Sequence, residues 1–227
     1  INTIAVYIAN MVEIPYRSLA AISRPQISQS MKDDNILEVN YLAKNVSLHQ
    51  FMASALILFI IWINIDLIYS VIPNGNVYDE AKFVVFILAL VKIINTSLNV
   101  GATVLSYSKY YYYSLPFTII LTTSVIVLNI KFIPLWGMEG AALASLISYL
   151  RYYSFLLTFV KWKVNVTPFS VKEFYTLLII IALFLIDALL QNSISNCFIQ
   201  LFEIEMLGQL LDSIFRTVAL LSLGLFT

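Results

Sequence analysis

The stretch IPLWGMEGAALASLISY, residues 133–149, decides how the rest of the chain is interpreted. A proline-containing turn ends one apolar segment, and a helix rich in small residues begins the next. Residues four apart lie on one face of a helix, so the small residues form two flat strips that another backbone can approach closely. Such strips hold transmembrane helices together, because lipid gives no hydrophobic drive for helix association. The two predicted packing strips are Gly137, Ala141, Ser145 and Gly140, Ala144, Ser148.

The composition is that of an integral membrane protein. Of 227 residues, 60% are hydrophobic and 11% are charged, and the mean hydropathy is +0.88. An average soluble domain carries about 25% charged residues. The formal net charge is zero, so no nucleic acid is expected as a partner. The single Cys197 cannot form an internal disulfide, and no cluster of Cys and His has the spacing of metal ligands.

Seven segments are long and apolar enough to cross a membrane, which takes about 20 residues as a helix. The first is the weakest, because Asn10, Glu13, Pro15 and Arg17 interrupt it. A helix this polar is expected to face protein or a water-filled cavity. We predict an all-α integral membrane protein whose seven transmembrane helices lie at about residues 1–22, 50–72, 83–106, 111–130, 139–160, 173–191 and 207–226.

The connections between these segments differ in length. The first, residues 23–49, is the longest, and apolar residues recur at helical spacing from Ile36 to Val46. This pattern predicts a short amphipathic helix on the membrane surface or packed under the bundle. The next three connections are predicted turns, at Pro73-Asn74-Gly75, around Ser108-Lys109 and over residues 131–138.

The distribution of positive charge predicts the orientation. Connections one, three and five carry seven Lys and Arg residues, and connections two, four and six carry two. Cytoplasmic connections carry the excess of positive charge, so connections one, three and five are predicted to be cytoplasmic. The residues counted are Arg24, Lys32, Lys44, Lys109, Lys161, Lys163 and Lys172 on that side, and Lys82 and Lys131 on the other.

Three segments carry a resemblance to a protein family. They are IPYRSLAAISRPQISQSMKDDN (14–35), NIDLIYSVIPNGNVYDEAKFVVFILAL (64–90) and IPLWGMEGAALAS (133–145). Together they resemble bacterial polysaccharide-biosynthesis membrane proteins, the lipid-linked oligosaccharide flippases of the multidrug/oligosaccharidyl-lipid/polysaccharide exporter superfamily. The resemblance implies a fourteen-helix exporter fold, of which this chain would supply helices eight to fourteen. Residues 1–160 would form most of the C-terminal transport lobe, with five helices, and residues 161–227 two additional C-terminal helices.

The resemblance also implies a function. Two lobes would rock about a central cavity by alternating access and carry undecaprenyl-pyrophosphate-linked oligosaccharide across the bacterial inner membrane, for assembly of polysaccharide, O-antigen or capsule. The implied partners are the lipid-linked glycan, membrane lipid and an N-terminal lobe of the same protein; no cofactor is implied. The chain opens with Ile1 inside an apolar segment, so we expect natural N-terminal sequence before it. The resemblance leaves open whether transport would be coupled to protons or to sodium ions.

Charged residues inside the predicted spans define a candidate cavity, because charge inside a membrane is costly and marks function. Glu13 and Arg17 are four apart, a spacing that favours an intrahelical ion pair. Lys92 lies mid-helix in the third span, with Asn95 on the next turn, and Arg24 lies at the cytoplasmic mouth. Guanidinium groups match pyrophosphate oxygens bidentately, so Arg17, Arg24 and Lys92 are predicted to bind the lipid pyrophosphate or acidic sugars. The alternative is that neighbours such as Glu13 neutralise these charges merely to permit burial.

Other polar residues have simpler interpretations. Asp66 is expected to be an interfacial carboxylate, the alternative being a cation or proton site. His49 is expected to be solvated or to cap a helix. The tyrosines on both sides of Lys109 predict an interfacial aromatic belt, with sugar stacking as the alternative. Charged residues in the last three helices are expected to pair between helices or to extend to the interface: Arg151, Asp187, Asp212 and Arg216.

No motif indicates catalysis: there is no P-loop, no G-x-S-x-G and no H-E-x-x-H. We therefore do not expect an enzyme. The main alternative function is a multidrug or cation antiporter of the same fold, whose cationic cargo would favour carboxylates over Arg and Lys in the cavity. A seven-helix receptor is suggested by span count alone, but no D/E-R-Y-like motif is present. A membrane-bound glycosyltransferase or polymerase would usually need a larger extramembrane loop.

Overall fold

The computed structural model describes residues 2–71, 82–170, 172–173, 175–182, 185 and 217–218. Within these ranges the chain is helical and has no strand, so the all-α prediction is confirmed. A short 3-10 helix at Tyr111–Tyr113 precedes the last long helix. The α-helices are α1 (Asn2–Met11), α2 (Ile14–Lys32), α3 (Ile36–Ile63), α4 (Ile65–Val71), α5 (Lys82–Tyr107) and α6 (Ser114–Val164).

Three helical segments are long and apolar enough to cross a membrane: α3, α5 and the segment Tyr111–Val164 that contains α6. These cover the third to fifth predicted spans and the second up to Ile63, where α3 ends and the separate helix α4 follows. About half of the sixth predicted span is described and is helical, at residues 173, 175–182 and 185. Most of the seventh span and the predicted turn at Pro73-Asn74-Gly75 lie outside the described residues, so the count of seven stays a prediction. Asp187, Cys197, Asp212 and Arg216 lie outside them as well.

The helix α6 folds back on itself at Gly137. This residue has φ 55° and ψ −125°, a conformation that favours glycine, and the residues on both sides are helical. Arg151 on the second arm donates a hydrogen bond to Ser124 on the first at 2.7 Å. A Cβ at Gly140 would overlap the carbonyl oxygen of Phe132, so the two arms touch backbone to backbone beside the bend. The arms therefore form an antiparallel hairpin, each long enough for one crossing.

The hairpin places the two predicted packing strips in different surroundings. Ala144 and Ser148 are buried together with Gly140, as expected of a helix–helix contact. Ala141 and Ser145 are only half-buried. The assignment of Gly137 to a helical strip is wrong, because its backbone is non-helical and nothing lies within 4 Å of a Cβ built on it. Its conformation makes the bend, whereas Gly140 makes the close contact.

The first predicted span is two helices. α1 ends at Met11 and α2 begins at Ile14, and Glu13 precedes α2 at its N-cap position. Pro15 lies in the first turn of α2, where a missing N–H costs least. α2 then continues to Lys32, well past the expected end near residue 22.

The prediction of a long first connection, residues 23–49, is therefore wrong. α2 runs through Pro25, and only residues 33–35 separate it from α3. Asn35 caps α3 by accepting a hydrogen bond from the backbone N–H of Glu38, at 3.2 Å. The residues from Ile36 to Val46 are helical as predicted, but they form the first part of α3 rather than a separate surface helix. Val39 and Ala43 on this part are fully buried, so the first part of α3 packs within the bundle.

The central helix is α5, which packs against α1, α2, α3 and α6. Gly101 allows α6 to approach closely, because a Cβ there would lie 2.7 Å from a methyl carbon of Leu157. Two apolar clusters surround α5. One lies towards α1 and the later part of α3, and the other lies between the start of α3, the end of α5 and the end of α6.

An extended segment follows α6, and we call residues 165–170 the strap. Its backbone N–H at Thr167 donates to the side-chain oxygen of Asn40 on α3 at 3.0 Å, and its Pro168 lies against Gly101 on α5. The strap thus crosses near the start of α3 and the end of α5. Connections one, three and five therefore lie at one end of the bundle, as an alternating topology requires. The side of the membrane that this end faces stays a prediction.

Candidate functional site

A polar stripe follows the middle of α5. Lys92, Asn95 and Asn99 are spaced three and four residues apart, so they lie along one face of the helix. All three are half-buried in a helix whose other residues are mostly apolar. Polar groups at such positions need partners, because burying them unpaired is costly. The partners come from α2, from the break before it, and from α6.

Lys92 forms an ion pair with Glu13. Its Nζ lies 3.0 Å from Oε1 of Glu13, and the side chains are 28% and 20% exposed. Glu13 lies at the break between α1 and α2, from which its carboxylate reaches α5. The predicted Glu13–Arg17 pair is not the pair that forms. A half-buried ammonium needs a counter-charge more than an exposed guanidinium does, because water solvates the latter.

A chain of hydrogen bonds extends the site from α2 to α6. The guanidinium of Arg24 donates to the hydroxyl of Tyr16, and that hydroxyl donates to the side-chain oxygen of Asn99, each at 2.8 Å. On the other side, the hydroxyl of buried Tyr153 donates to the side-chain oxygen of Asn95 at 2.7 Å. The amide of Asn99 approaches the same hydroxyl at 3.5 Å. Three helices are thus joined by polar contacts within an apolar bundle.

The two arginines of α2 remain exposed. Arg17 and Arg24 are seven residues apart, so they lie on similar faces about 10 Å apart along the axis. Arg24 also lies beside the Tyr16 ring, with its Cζ 5.9 Å from the ring centre. Within the described part of the chain, neither guanidinium is joined to a carboxylate. The accessible positive charge of the site is therefore on α2, whereas the charge of Lys92 is offset by Glu13.

The structure brings four of the five predicted cavity residues into one polar region: Glu13, Lys92, Arg24 and Asn95. Arg17 lies on α2 outside this hydrogen-bonded region. The prediction missed Tyr16, Asn99 and Tyr153. Asn99 could have been predicted, because it lies one turn after Asn95 on the same face of the helix. Tyr153 follows directly after another tyrosine in the sequence, and only the fold shows that it is buried beside α5.

An open crevice lies beside the site, between α1, α5 and the two arms of α6. Its volume is about 570 Å³. The half-buried strip residues Ala141 and Ser145 line it, together with Asn10 and Asn129. The side-chain oxygen of Asn129 is buried without a hydrogen-bond partner. These small residues therefore border open space rather than a packed helix within the described residues.

The remaining predicted polar residues lie at the periphery. Asp66 is exposed and forms an ion pair with Lys82. His49 is exposed, and its Nδ1 lies 2.6 Å from the backbone oxygen of Asn45. Arg151 bonds to Ser124 across the hairpin rather than to a carboxylate. In the described ranges, no group of three or more His, Cys, Asp or Glu side chains is placed to hold a metal ion.

Within the described residues, the fold and the site define an all-helical chain with three segments long and apolar enough to cross a membrane. It carries a half-buried, mixed-charge polar region beside two exposed arginines. No model of a known protein family, no curated protein and no solved structure matches the chain.

Proposed function

We propose that the chain is the C-terminal part of a membrane transporter that flips undecaprenyl-pyrophosphate-linked oligosaccharide across the bacterial inner membrane. In this proposal an N-terminal lobe of the same protein faces it, and the two lobes open alternately to either side. The lipid-linked glycan and membrane lipid are its partners. The single observation that carries the proposal is the pair of exposed guanidinium groups, Arg17 and Arg24, beside the polar stripe of α5.

The charge of the site supports an anionic cargo. Glu13 is paired with Lys92, so the ionised groups left accessible nearby are two cations. A guanidinium presents a planar fork of donors that matches two phosphate oxygens. Tyr16 orients Arg24 by accepting one of its hydrogen bonds, and the remaining donors of that guanidinium stay available for a ligand.

The polar stripe supports a water-filled cavity beside this face of α5. A half-buried ion pair and two asparagines in the middle of α5 are costly against lipid, whereas they are tolerated beside a water-filled cavity. Polar hydroxyl and amide groups of this kind also suit the hydroxyls of a sugar. The stripe and α2 together would form the wall that this chain contributes to the cavity.

A cation antiporter of the same fold is the competing function. Its cargo would need an accessible carboxylate, and the carboxylate of this site, Glu13, already has a cationic partner at 3.0 Å. The arginines of α2 would repel a cationic cargo. The geometry therefore favours the anionic lipid over a cationic drug.

Binding to the purified chain in lipid nanodiscs tests the proposal. The probes are a fluorescent undecaprenyl-pyrophosphate-linked oligosaccharide, the same glycan on an uncharged lipid, and tetraphenylphosphonium. We expect the first to bind most tightly, and Arg17→Gln and Arg24→Gln each to weaken its binding about tenfold, since a hydrogen bond to a charged group contributes about 1.5–3 kcal/mol. The matched control is Lys161→Gln, which removes an exposed charge from the end of α6 and should leave the affinity unchanged.

The outcomes separate the alternatives. Equal binding of the charged and uncharged lipids, or no effect of either arginine substitution, would contradict an anion site on α2. Tight binding of tetraphenylphosphonium that depends on Glu13 would favour the antiporter instead. If binding is as expected, co-expression with the upstream half and a flipping assay in proteoliposomes would test transport itself.

A further inference from the structure

A second buried polar region lies between α3 and α5, away from the candidate cavity. Its members are five side chains that face each other across the two helices, which we call the seam. Each has a relative exposure of at most 3%. The seam consists of Ser47, Gln50 and Ser54 on α3, and Thr96 and Ser97 on α5.

The seam is only partly satisfied by its own hydrogen bonds. Ser47 donates to the backbone oxygen of Ser97 at 2.9 Å, and the hydroxyls of Ser54 and Thr96 are 3.0 Å apart. The side-chain oxygens of Gln50 and Ser97 are buried and have no partner. The amide oxygen of Gln50 can only accept a hydrogen bond. The Gln50 oxygen thus lacks a donor.

The strap brings a carboxyl group to this seam. Glu173 follows the strap by three residues, and its backbone N–H donates to the oxygen of Ser170 at 3.0 Å. The residue is 3% exposed, and its carboxyl lies close enough to the Ser47 hydroxyl for the two groups to interact. Its Oε1 is buried and has no partner. A carboxylate here could only accept hydrogen bonds, whereas a carboxylic acid could also donate one.

No cation offsets a charge on Glu173 within the described residues. On α3, Lys44 and His49 lie on either side of Ser47, and His49 is exposed and bonded to Asn45. On α5, the charged residue closest in sequence to the seam is Lys92, which is paired with Glu13. The titratable groups of the neighbouring segments are exposed: Lys161, Lys163, Lys172 and Tyr175. Burying an unpaired carboxylate is far more costly than burying its acid, so the group is expected to hold a proton.

We propose that Glu173 is a proton-binding site, whose carboxyl takes up one proton from water at the strap end of the bundle and holds the strap across α3 and α5 while protonated. On release of the proton, the carboxylate leaves the seam for water and the strap loosens. Burial raises the pKa of Glu173 to about 7, against the opposing effect of the Ser47 hydroxyl and the Ser170 backbone, so the exchange falls near neutral pH. This proposal needs no cargo and stands apart from the transport function.

Infrared spectroscopy of the chain in nanodiscs tests it, because a protonated carboxylic acid has a C=O stretching band that a carboxylate lacks. We expect wild-type chain to show such a band at pH 6, to lose it by about pH 8, and Glu173→Gln to lack it at both pH values. The matched control is Glu139→Gln, which removes an exposed glutamate of α6 and should leave the band unchanged.

Hydrogen exchange gives the second readout. The Thr167 amide, which bonds to Asn40, should exchange at least tenfold faster at pH 8.5 than at pH 6 in wild type, after correction for intrinsic exchange rates. In Glu173→Gln the corrected rate should not depend on pH. If that variant fails to fold, Ser47→Ala serves instead, since loss of this hydroxyl should move the titration of the band to higher pH. Absence of a titrating band in both wild type and Ser47→Ala, or a band that survives Glu173→Gln, would overturn the proposal.

Discussion

Arg151 and Ser124 are hydrogen-bonded at 2.7 Å across the bend of α6, although they lie on opposite sides of Gly137 in the sequence. This bond shows that the two arms of α6 lie side by side. In a straight helix the two residues would be about 40 Å apart. The bend turns one helical segment into two antiparallel arms, and it depends on two glycines with different tasks.

Substitutions of the two glycines should therefore destabilise the hairpin by different mechanisms. Gly137→Ala places a side chain at φ 55° and ψ −125°, and we expect a cost of about 1–3 kcal/mol from backbone strain. Gly140→Ala forces a methyl group onto the carbonyl of Phe132, and we expect about 3 kcal/mol or more, because the arms must separate. Thermal unfolding in detergent, followed by circular dichroism, measures both effects.

The control for this pair is Ala141→Gly, at a half-buried helical position one residue on. It should cost about 0.5–1 kcal/mol, the ordinary effect of glycine in a helix. If Gly140→Ala were as stable as wild type, the close contact between the arms would be wrong.

The Lys92–Glu13 pair should behave as a partly buried ion pair. Lys92→Met leaves a carboxylate without its partner, and we expect a loss of about 1–3 kcal/mol, between the values typical of surface and fully buried pairs. The double variant with Glu13→Gln should recover most of that loss, because it no longer leaves a charge unpaired. A double-mutant cycle of unfolding free energies measures the coupling. Additive effects of the two substitutions would contradict the pair.

The hydroxyl of Tyr153 should matter while that of its neighbour should not. Tyr153→Phe leaves the side-chain oxygen of Asn95 without its donor in a half-buried place, and we expect a cost of about 1–2 kcal/mol. Tyr152→Phe is the matched control, since the Tyr152 hydroxyl makes no hydrogen bond within the part of the chain that the structure describes, and its effect should be close to zero. Equal stability of the two variants would show that the α5–α6 polar contact contributes nothing.

The sequence predicts the long apolar helices well but not the helix ends between them. The segments around α3, α5 and both arms of α6 stand out because about 20 apolar residues admit few alternatives. The sequence prediction places Pro25 in the connection 23–49, and proline inside a helix removes a hydrogen bond. In the structure α2 continues, because Ser23, Ile27 and Ser30 are buried against the bundle. Tertiary packing thus overrides a local signal.

The candidate site was predictable as a set of residue types but not as a set of pairs. Spacing along one helix pointed to a Glu13–Arg17 pair, whereas the partner of Glu13 is Lys92, on a helix that starts far along the chain. Nothing in the sequence singles out Glu173, which lies next to Lys172 at the boundary between the fifth connection and the sixth predicted span. The structure shows that Glu173 is buried, because the strap before it is fixed to α3 by the hydrogen bond between Thr167 and Asn40.

The stability of the chain should fall with pH because of Glu173. Its pKa in the folded state is raised to about 7, whereas an unfolded glutamate titrates near its ordinary value of 4.5. Between these two values the folded state binds more protons than the unfolded state, so the free energy of unfolding decreases as pH rises. The contribution is fully present below about pH 4.5, declines up to about pH 7 and is absent above it. A shift of this size corresponds to about 3 kcal/mol.

Glu173→Gln isolates this effect, since glutamine keeps the donor and acceptor of the protonated acid but does not titrate. Unfolding free energies of both chains, measured from pH 5 to pH 8.5, should diverge by about 2–3 kcal/mol in favour of the variant at the high end. Parallel pH profiles would mean that the carboxyl of Glu173 is ionised in the folded protein at pH 5, and the buried position assigned to it would then be wrong.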